Sequence, residues 1–478
     1  MIIITVCLVV IIGSIAESSI TTSQAFKIGK VLRIFRLFLM FRKMTIMRKY
    51  KDKIAKKRNA AVNLTSPSEK IIEMLNSILE LEWISYQTIL KADIKWSIEM
   101  IKEQKIYQTN VRAVKEELRD LVNWAVNQNQ FEDDDADTPI RAETHLVSVN
   151  AVNFGTEVEL ILSDLHKWDF DIFLLEKAAP NKSLEIITSH IFGVYNFYQT
   201  LNIDSVKFTS FIRAVQSGYH SENPYHNSIH AADVVQSYYY FLHSCQAIEI
   251  ASLADFEIVI CLISSAVHDY DHPGVNNIFL INSSNPLALL YNDKSVLENH
   301  HVASAFKLLQ DQSQNFIENF SKDDKKKFRI KMISLVLATD FARHFMDLGK
   351  FQLKFGNSNS SSSVKDDEDR ILVMEMLMHS SDVGNPSRTW NVCYEWATRV
   401  MNEFFAQGDK EREMGLPISN LCDRFSVSIP KSQIGFTELF IEPTFNMLEP
   451  LFPAVSENIR YISENKQKWK ELLDSGKP

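Results

Sequence analysis

Histidines and carboxylates are concentrated in two short stretches of this 478-residue chain. The first stretch, YHNSIHAADV, covers residues 225–234, and the second, HDYDHPG, covers residues 268–274. Together with His300, His301 and His379, they hold seven of the 13 histidines in the sequence. Imidazole and carboxylate without thiolate are the ligands expected for zinc or a harder divalent ion. The clustering therefore indicates a metal-dependent hydrolase.

The spacing within each stretch limits the geometry of such a site. His226 and His230 are four residues apart, so on a helix they would lie on one face, one turn from each other. Helical zinc proteases place a Glu between ligands with this spacing, whereas residues 227–229 are Asn, Ser and Ile, which excludes a protease of that type. His268 and Asp269 would diverge by about 100° on a helix. They can share a site only near a helix end.

A fourth ligand must come from a distant part of the chain. Asp382, at the end of the sequence HSSD, is the leading candidate. A single histidine is more often a buried structural residue than a ligand. Several histidines clustered with carboxylates favour the metal site.

Four motifs together resemble those of a known family. The two stretches above read HNxxHAxDV and HDxDHPG, and they are followed by YNDKSVLENHH at residues 291–301 and KSQIGF at residues 431–436. From about Trp168 to about Trp469, the chain resembles the class I cyclic nucleotide phosphodiesterases of animals and protists. The resemblance implies an all-α, compact multi-helix catalytic domain of HD type. It also implies hydrolysis of a 3′,5′-cyclic nucleotide to the 5′-monophosphate.

The resemblance assigns roles to the clustered residues. A zinc ion would have four ligands: His230, His268, Asp269 and Asp382. Asp269 would also bind a second divalent ion, magnesium or manganese, whose remaining ligands are mostly water. His226 matches the family's general acid, which protonates the O3′ leaving group. An imidazole that titrates near neutrality suits this task.

Other polar residues match supporting positions of the family. The groups that orient metal ligands and metal-bound water are matched by His272, Glu298 and Asp340. Three further residues either share that role or are simply buried with satisfied hydrogen bonds: His300, Thr339 and His379.

The resemblance also implies a site for the base. Gln433 matches a glutamine whose amide pairs with the purine edge. Phe436 and Val400 match the two hydrophobic residues that sandwich the ring. Asn385 lies where adenine-preferring branches of the family often keep Asn, which favours cAMP over cGMP.

Composition bounds the fold and the compartment. Glycine and proline are scarce, at 13 each, and apolar residues recur at helical spacing, which predicts a mostly helical chain. The five cysteines form no CxxC pair, as expected for a reduced, cytosolic enzymatic portion. The net charge of −9 argues against a nucleic-acid partner. We expect a membrane segment at residues 1–47, a basic and helical connector with an acidic linker at 48–149, and the catalytic domain at 150–478.

The first 47 residues contain two apolar stretches. Residues 2–16 would reach only about 22 Å as a helix, short of a hydrocarbon core of roughly 30 Å. Residues 25–47 carry a stripe of cations within apolar sequence: Lys27, Lys30, Arg33, Arg36 and Arg42. This stripe resembles the fourth, voltage-sensing helix of voltage-gated cation channels, and the first stretch resembles the end of the third.

This second resemblance predicts a helical hairpin in a membrane. Nine Lys and Arg residues over residues 42–58 place the following chain, and so the catalytic domain, in the cytosol. A cleaved signal peptide is the alternative for residues 2–16, and a helix lying on the membrane surface is the alternative for residues 25–47.

The connector and the overall function keep alternatives open. The sequence SPSE at residues 66–69 predicts the start of a helix of about 40 residues, which could pack on the core or form a homodimer. The chain could also be another HD-type nucleotide phosphohydrolase. Alternatively, it could be a channel-derived protein whose C-terminal domain only senses cyclic nucleotide.

Overall fold

The computed structural model describes residues 155–356 and 364–475, together with six helical residues nearer the N-terminus at positions 75, 76, 94, 95, 97 and 98. The chain divides into two units, residues 1–106 and 107–478. In the first unit, Ile94 and Ile98 are buried. The predicted membrane hairpin at residues 1–47 lies outside the described residues, as does nearly all of the connector. Within the described part, no helix has the length and apolar character needed to cross a membrane.

The described part of the second unit is helical. Across residues 155–356 and 364–475 the chain forms 18 α-helices, short 3₁₀ turns and one π-helical segment, without a β-strand. In chain order the α-helices are α1 (Thr156–Leu162), α2 (Ile172–Ala178), α3 (Ser183–Val194), α4 (Phe197–Thr200), α5 (Ser205–Gly218), α6 (Ser228–His243), α7 (Ala247–Ala251), α8 (Asp255–Val267), α9 (Asn277–Asn282), α10 (Pro286–Leu290), α11 (Val296–Leu308), α12 (Lys322–Leu337), α13 (His344–Phe355), α14 (Asp367–Asp382), α15 (Trp390–Glu413), α16 (Ile429–Phe436), α17 (Glu442–Leu448) and α18 (Ser456–Asp474). The all-α prediction for this domain is confirmed.

Helices α6 and α8 form the centre of the core. Every residue of α6 from His230 to Leu242 is buried, and so is every residue of α8 from Glu257 to Val267. Helices buried on all sides lie inside a domain. Helix α6 packs against α3, α8 and α14. The core therefore fixes the start of α6 and the ends of α8 and α14.

Side-chain caps set the starts of two of these helices. The side chain of Asn227 accepts hydrogen bonds from the backbone nitrogens of Ile229 and His230 at 2.9 and 3.3 Å. Asp366 caps α14 in the same way, with its carboxylate 2.8 Å from the backbone nitrogen of Asp369. Such caps satisfy N–H groups that the first helical turn leaves unpaired. They determine which residues enter the helices.

A buried ion pair joins α6 to the segment after α14. Arg388 Nη2 lies 2.6 Å from Asp233 Oδ1, and both side chains are almost fully excluded from solvent. The guanidinium of Arg388 lies over the ring of Trp168, 4.1 Å from its centroid. Buried charges require such partners, because an unpaired charge in the interior is strongly unfavourable. The pair fixes the backbone that carries Asn385.

Candidate active site

The four predicted metal ligands converge at one end of the core. The Nε2 atoms of His230 and His268 are 3.3 Å apart. Each lies 3.1–3.5 Å from carboxylate oxygens of Asp269 and Asp382. Ligands of a tetrahedral zinc ion at 2.0–2.2 Å are separated from one another by about 3.3–3.6 Å. The donor set and its spacing therefore fit a divalent ion.

The end of α8 presents two of these ligands. The helix ends at Val267, so His268 and Asp269 lie just beyond its last turn, as their adjacency requires. His268 Nδ1 donates to the carbonyl oxygen of Ser265 at 2.9 Å. That bond leaves the lone pair of Nε2 directed at the cluster, a common arrangement for ligating histidines.

His226 lies outside the helix that carries His230. Because Asn227 is the N-cap and α6 begins at Ser228, the prediction that the two histidines share a helix face is wrong. His226 Nε2 nevertheless lies 4.0 Å from Asp269 Oδ2, beside the ligand cluster. The structure therefore places the predicted general acid beside the four predicted metal ligands.

Glu403, on α15, holds His226 in position. One carboxylate oxygen accepts hydrogen bonds from the backbone nitrogens of Tyr225 and His226 at 2.9 and 3.0 Å, and the other pairs with His226 Nδ1. Glu403 is buried. Sequence reasoning missed this residue, because it lies 177 positions from His226 and belongs to no recognisable motif.

The pair is a buried imidazolium and carboxylate. Burial lowers the pKa of His226, but the negative charges of Glu403 and Asp269 outweigh that effect and raise it to about 9. Burial raises the pKa of Glu403, but the positive charge of His226 outweighs it and lowers the pKa to about 2. At neutral pH His226 therefore carries a proton on Nε2 that it can donate.

A second group of possible ligands adjoins the first. Asp269, His272 and His301 bring their ligand atoms within 4.8 Å of one another. His301 Nδ1 donates to the carbonyl oxygen of Tyr270 at 2.7 Å, and its buried Nε2 has no hydrogen-bond partner, 3.7 Å from Asp269 Oδ1. Burial lowers the pKa of His301 to about 4, so this nitrogen keeps its lone pair. A second ion or its bound water fits there.

The three predicted supporting residues make different contacts. His272 stacks on His226 with ring centroids 3.9 Å apart, and Glu298 accepts hydrogen bonds from Asn277 Nδ2 at 3.1 and 3.3 Å. Both line the cavity beside the ligand cluster. Asp340 accepts hydrogen bonds from Ser295 Oγ at 2.6 Å and from a backbone nitrogen at 3.0 Å.

The three further candidates lie in three different environments. Thr339 lines the cavity. His300 binds Asp271 instead, with a nitrogen–oxygen distance of 2.8 Å, so its neighbour His301 occupies the position next to Asp269. His379 pairs with His344, 2.8 Å away, and sits near Phe341. The position of each residue along its helix or loop decides which neighbours it contacts, and the motif alone does not reveal that position.

All four predicted base-binding residues line the same cavity as Asp269 and Asp382: Asn385, Val400, Gln433 and Phe436. The amide of Asn385 is held at both ends, because its oxygen accepts from the Tyr225 hydroxyl and its nitrogen lies 3.2 Å from Asp233 Oδ2. Phe436 stacks against Phe341 with centroids 5.9 Å apart. The cavity thus joins a charged half, the ligand cluster with His226, to a base half formed by these four residues.

Comparison with known proteins agrees with this arrangement. The 3'5'-cyclic nucleotide phosphodiesterase family matches residues 225–462. Dual specificity calcium/calmodulin-dependent 3',5'-cyclic nucleotide phosphodiesterase 1B of Mus musculus is 36% identical over 363 residues, which cover 68% of this chain and 66% of the mouse protein. The protein of the same name from Rattus norvegicus has the same identity and coverage. The chain thus spans just under two thirds of these relatives' length.

A solved structure is also similar. The phosphodiesterase domain of the RhoPDE fusion protein from the choanoflagellate Salpingoeca rosetta is 29% identical, with a TM-score of 0.60, and the match covers 66% of this chain and 98% of that one. These comparisons support the family predicted from the motifs: residues 225–462 match the catalytic domain of the class I cyclic nucleotide phosphodiesterases.

Proposed function

We propose that this protein hydrolyses a 3′,5′-cyclic nucleotide to the nucleoside 5′-monophosphate. The observation that carries the proposal is the position of His226 Nε2, 4.0 Å from Asp269 in a cavity shared with Gln433 and Phe436. An acid beside a metal site and a base pocket suits the opening of a cyclic phosphodiester. A domain that only senses nucleotide would need neither the acid nor its buried carboxylate partner.

We propose zinc for the site formed by His230, His268, Asp269 and Asp382, because two imidazoles and two carboxylates at this spacing match its preferences. Magnesium or manganese is proposed for the site between Asp269 and His301, where a hard, largely hydrated ion fits. Ions held at these sites would polarise the phosphate ester and activate water for attack at phosphorus.

The protein's own part in the reaction is to hold and deliver a proton. Glu403 fixes both the orientation and the protonated state of His226. Its proton passes from Nε2 to O3′ as the P–O3′ bond breaks, so the leaving group departs as a neutral hydroxyl. The stacked ring of His272 keeps the imidazole from turning away from the cluster.

A preference for cAMP over cGMP is proposed from Asn385. Its amide oxygen keeps one lone pair free after accepting from Tyr225, and that lone pair suits the exocyclic amine of adenine better than the O6 of guanine. Gln433 is buried in the same cavity and can pair with either purine edge after rotation of its amide. The mouse and rat relatives are named as dual-specificity enzymes, so a modest preference is the expected size.

One assay tests activity and preference together. Full-length protein with magnesium should convert cAMP to 5′-AMP, and added chelator should stop the reaction. Absence of turnover on both cyclic nucleotides with metal present would overturn the proposed activity. Equal kcat/KM for cAMP and cGMP would overturn the preference alone.

We propose membrane attachment through residues 1–47 and a cytosolic catalytic domain from the sequence pattern. Full-length protein should resist carbonate extraction and dissolve only in detergent, because a spanning hairpin is not held by charge. A chain that starts at Ala61 is the control and should be released without detergent. Release of the full-length protein by carbonate would contradict the spanning hairpin.

Homodimerisation through residues 66–106 is a further proposal, and light scattering on both proteins tests it.

A further inference from the structure

The segment after α15 contributes a strained residue to the cavity. Leu421 lines the cavity together with Gln433 and Phe436. Its backbone has φ of +64°, in the left-handed region. This region is unfavourable for any side chain with a Cβ, and a bulky leucine there is an outlier. Such strain persists only where the surrounding structure enforces it, and it concentrates at functional sites.

Helix α15 provides the contacts that enforce it. Glu411, which is buried, accepts a hydrogen bond from the backbone nitrogen of Ser419 at 2.6 Å and another from its hydroxyl. One turn earlier, Gly408 lies so close to the segment that a Cβ there would fall 1.9 Å from the carbonyl oxygen of Cys422. These two contacts lie on either side of Leu421 in the sequence.

The same face of α15 reaches the catalytic residues. Glu403, Gln407 and Glu411 follow one another at four-residue spacing and therefore lie in one row along the helix. Glu403 holds His226, and Gln407 Oε1 accepts from the backbone nitrogen of Asn276 at 2.9 Å, just beyond the HDxDHPG motif. Gln407 Nε2 also donates to Glu411 at 2.9 Å. One helix face thus fixes both halves of the cavity.

We propose that Gly408 and Glu411 are positioning residues for nucleotide binding: by fastening residues 419–422 to α15, they force Leu421 into a left-handed conformation that presents its side chain to the substrate. This inference rests on the proposed hydrolase activity. It assigns the strain to binding, so a substitution that removes the Leu421 side chain and also relieves the strain should weaken affinity without weakening the fold.

Two substitutions at Leu421 distinguish the effect of its side chain on binding from the effect of its backbone conformation on stability. Leu421→Gly and Leu421→Ala both remove the apolar contact, and each should raise KM for cAMP about tenfold, which corresponds to about 1.4 kcal/mol. The kcat should change by less than about twofold, because the metal site and His226 are untouched. Only Leu421→Gly relieves the strain, so its unfolding temperature should equal or exceed that of the wild type, and that of Leu421→Ala should be lower.

Gly408→Ala tests the fastening itself. The added methyl group must displace the Cys422 backbone, so KM should rise, again about tenfold, with metal content unchanged. Gly193→Ala is the matched control: it is also a helical glycine, but a Cβ there meets nothing within 4 Å. It should leave KM unchanged.

The outcomes distinguish this inference from the activity on which it rests. If the wild type does not hydrolyse cyclic nucleotides, the proposed function fails. If the wild type is active and Leu421→Gly leaves KM unchanged, or lowers the unfolding temperature as a core substitution would, the inference is overturned. Should Gly408→Ala fail to fold, the two Leu421 variants decide the question alone.

Discussion

The charged half and the base half of the cavity are constructed differently. In the charged half, His230 and His268 are fully buried, and most of its polar groups have fixed partners within the domain. In the base half, Asn385 is held at both ends of its amide, whereas Val400 and Phe436 offer only apolar surface. The charged half is thus specified by directional contacts, which allow one arrangement. The base half is specified mainly by shape, which tolerates change.

This difference predicts how the two halves respond to mutation. Substitutions in the charged half should reduce kcat by orders of magnitude, because they remove groups that act in the transition state. Substitutions in the base half should alter KM and selectivity by smaller factors, because they remove contacts present in both the ground state and the transition state.

The largest effect is expected for Asp382→Ala. The loss of one ligand and its charge should reduce turnover by about a thousandfold or more and release the ion. Product formation and metal content of the purified protein measure both effects. Glu368→Ala, an exposed carboxylate on the same helix, is the control and should change neither. Full metal content in Asp382→Ala would refute its role as a ligand.

His226→Ala should come next. Removal of the general acid should slow turnover by roughly 10²–10⁴-fold while both ions stay bound. His243→Ala, at the exposed end of α6, provides the control. An empty metal site in His226→Ala would show that the histidine is a ligand and not an acid.

Glu403→Gln should move the pH profile. The charge of Glu403 raises the pKa of His226 above its usual value and keeps the imidazole protonated at neutral pH, so activity should fall as the pH rises through that raised pKa. Removal of the Glu403 charge lowers this pKa, and the alkaline loss of activity should begin at lower pH. Glu395→Gln, on the exposed side of the same helix, should leave the profile in place. If Glu403→Gln loses activity at the same alkaline pH as the wild type, then Glu403 does not control proton donation by His226.

The smallest effect is expected in the base half. Gln433→Ala removes one or two hydrogen bonds to the purine, so KM should rise by about three- to tenfold for both nucleotides. The kcat should stay within about twofold of the wild type. Steady-state kinetics with cAMP and cGMP measure both. A collapse of kcat would contradict the division between the two halves.

The sequence predicted the charged half well because its ligands come from dense local motifs. His230, His268, Asp269 and Asp382 all meet as expected, although the last lies 152 positions from the first. The prediction that His226 and His230 share a helix face was wrong, because the cap at Asn227 makes α6 begin two residues after His226. His300 and His301 are equivalent in a motif, and only the register of α11 selects His301.

Residues that act through tertiary contacts alone could not be predicted. Glu403 is an ordinary acidic residue on a long helix until the fold places it against His226. The left-handed backbone of Leu421 also has no sequence signal, since glycine or asparagine would be the usual residue there. The roles of Glu403 and Leu421 arise only from where the fold places α15 and the segment that follows it.

The separation of the metal ligands along the chain has a consequence during protein synthesis. Asp382 leaves the ribosome 152 residues after His230, which at about 5–20 residues per second is a delay of roughly 8–30 s. A nascent chain that has only its first three ligands lacks a complete site, and Glu403, Gln433 and Phe436 emerge later still. On the proposed function, unfinished chains therefore lack hydrolase activity, and each molecule acquires it only after almost its whole catalytic domain has been made.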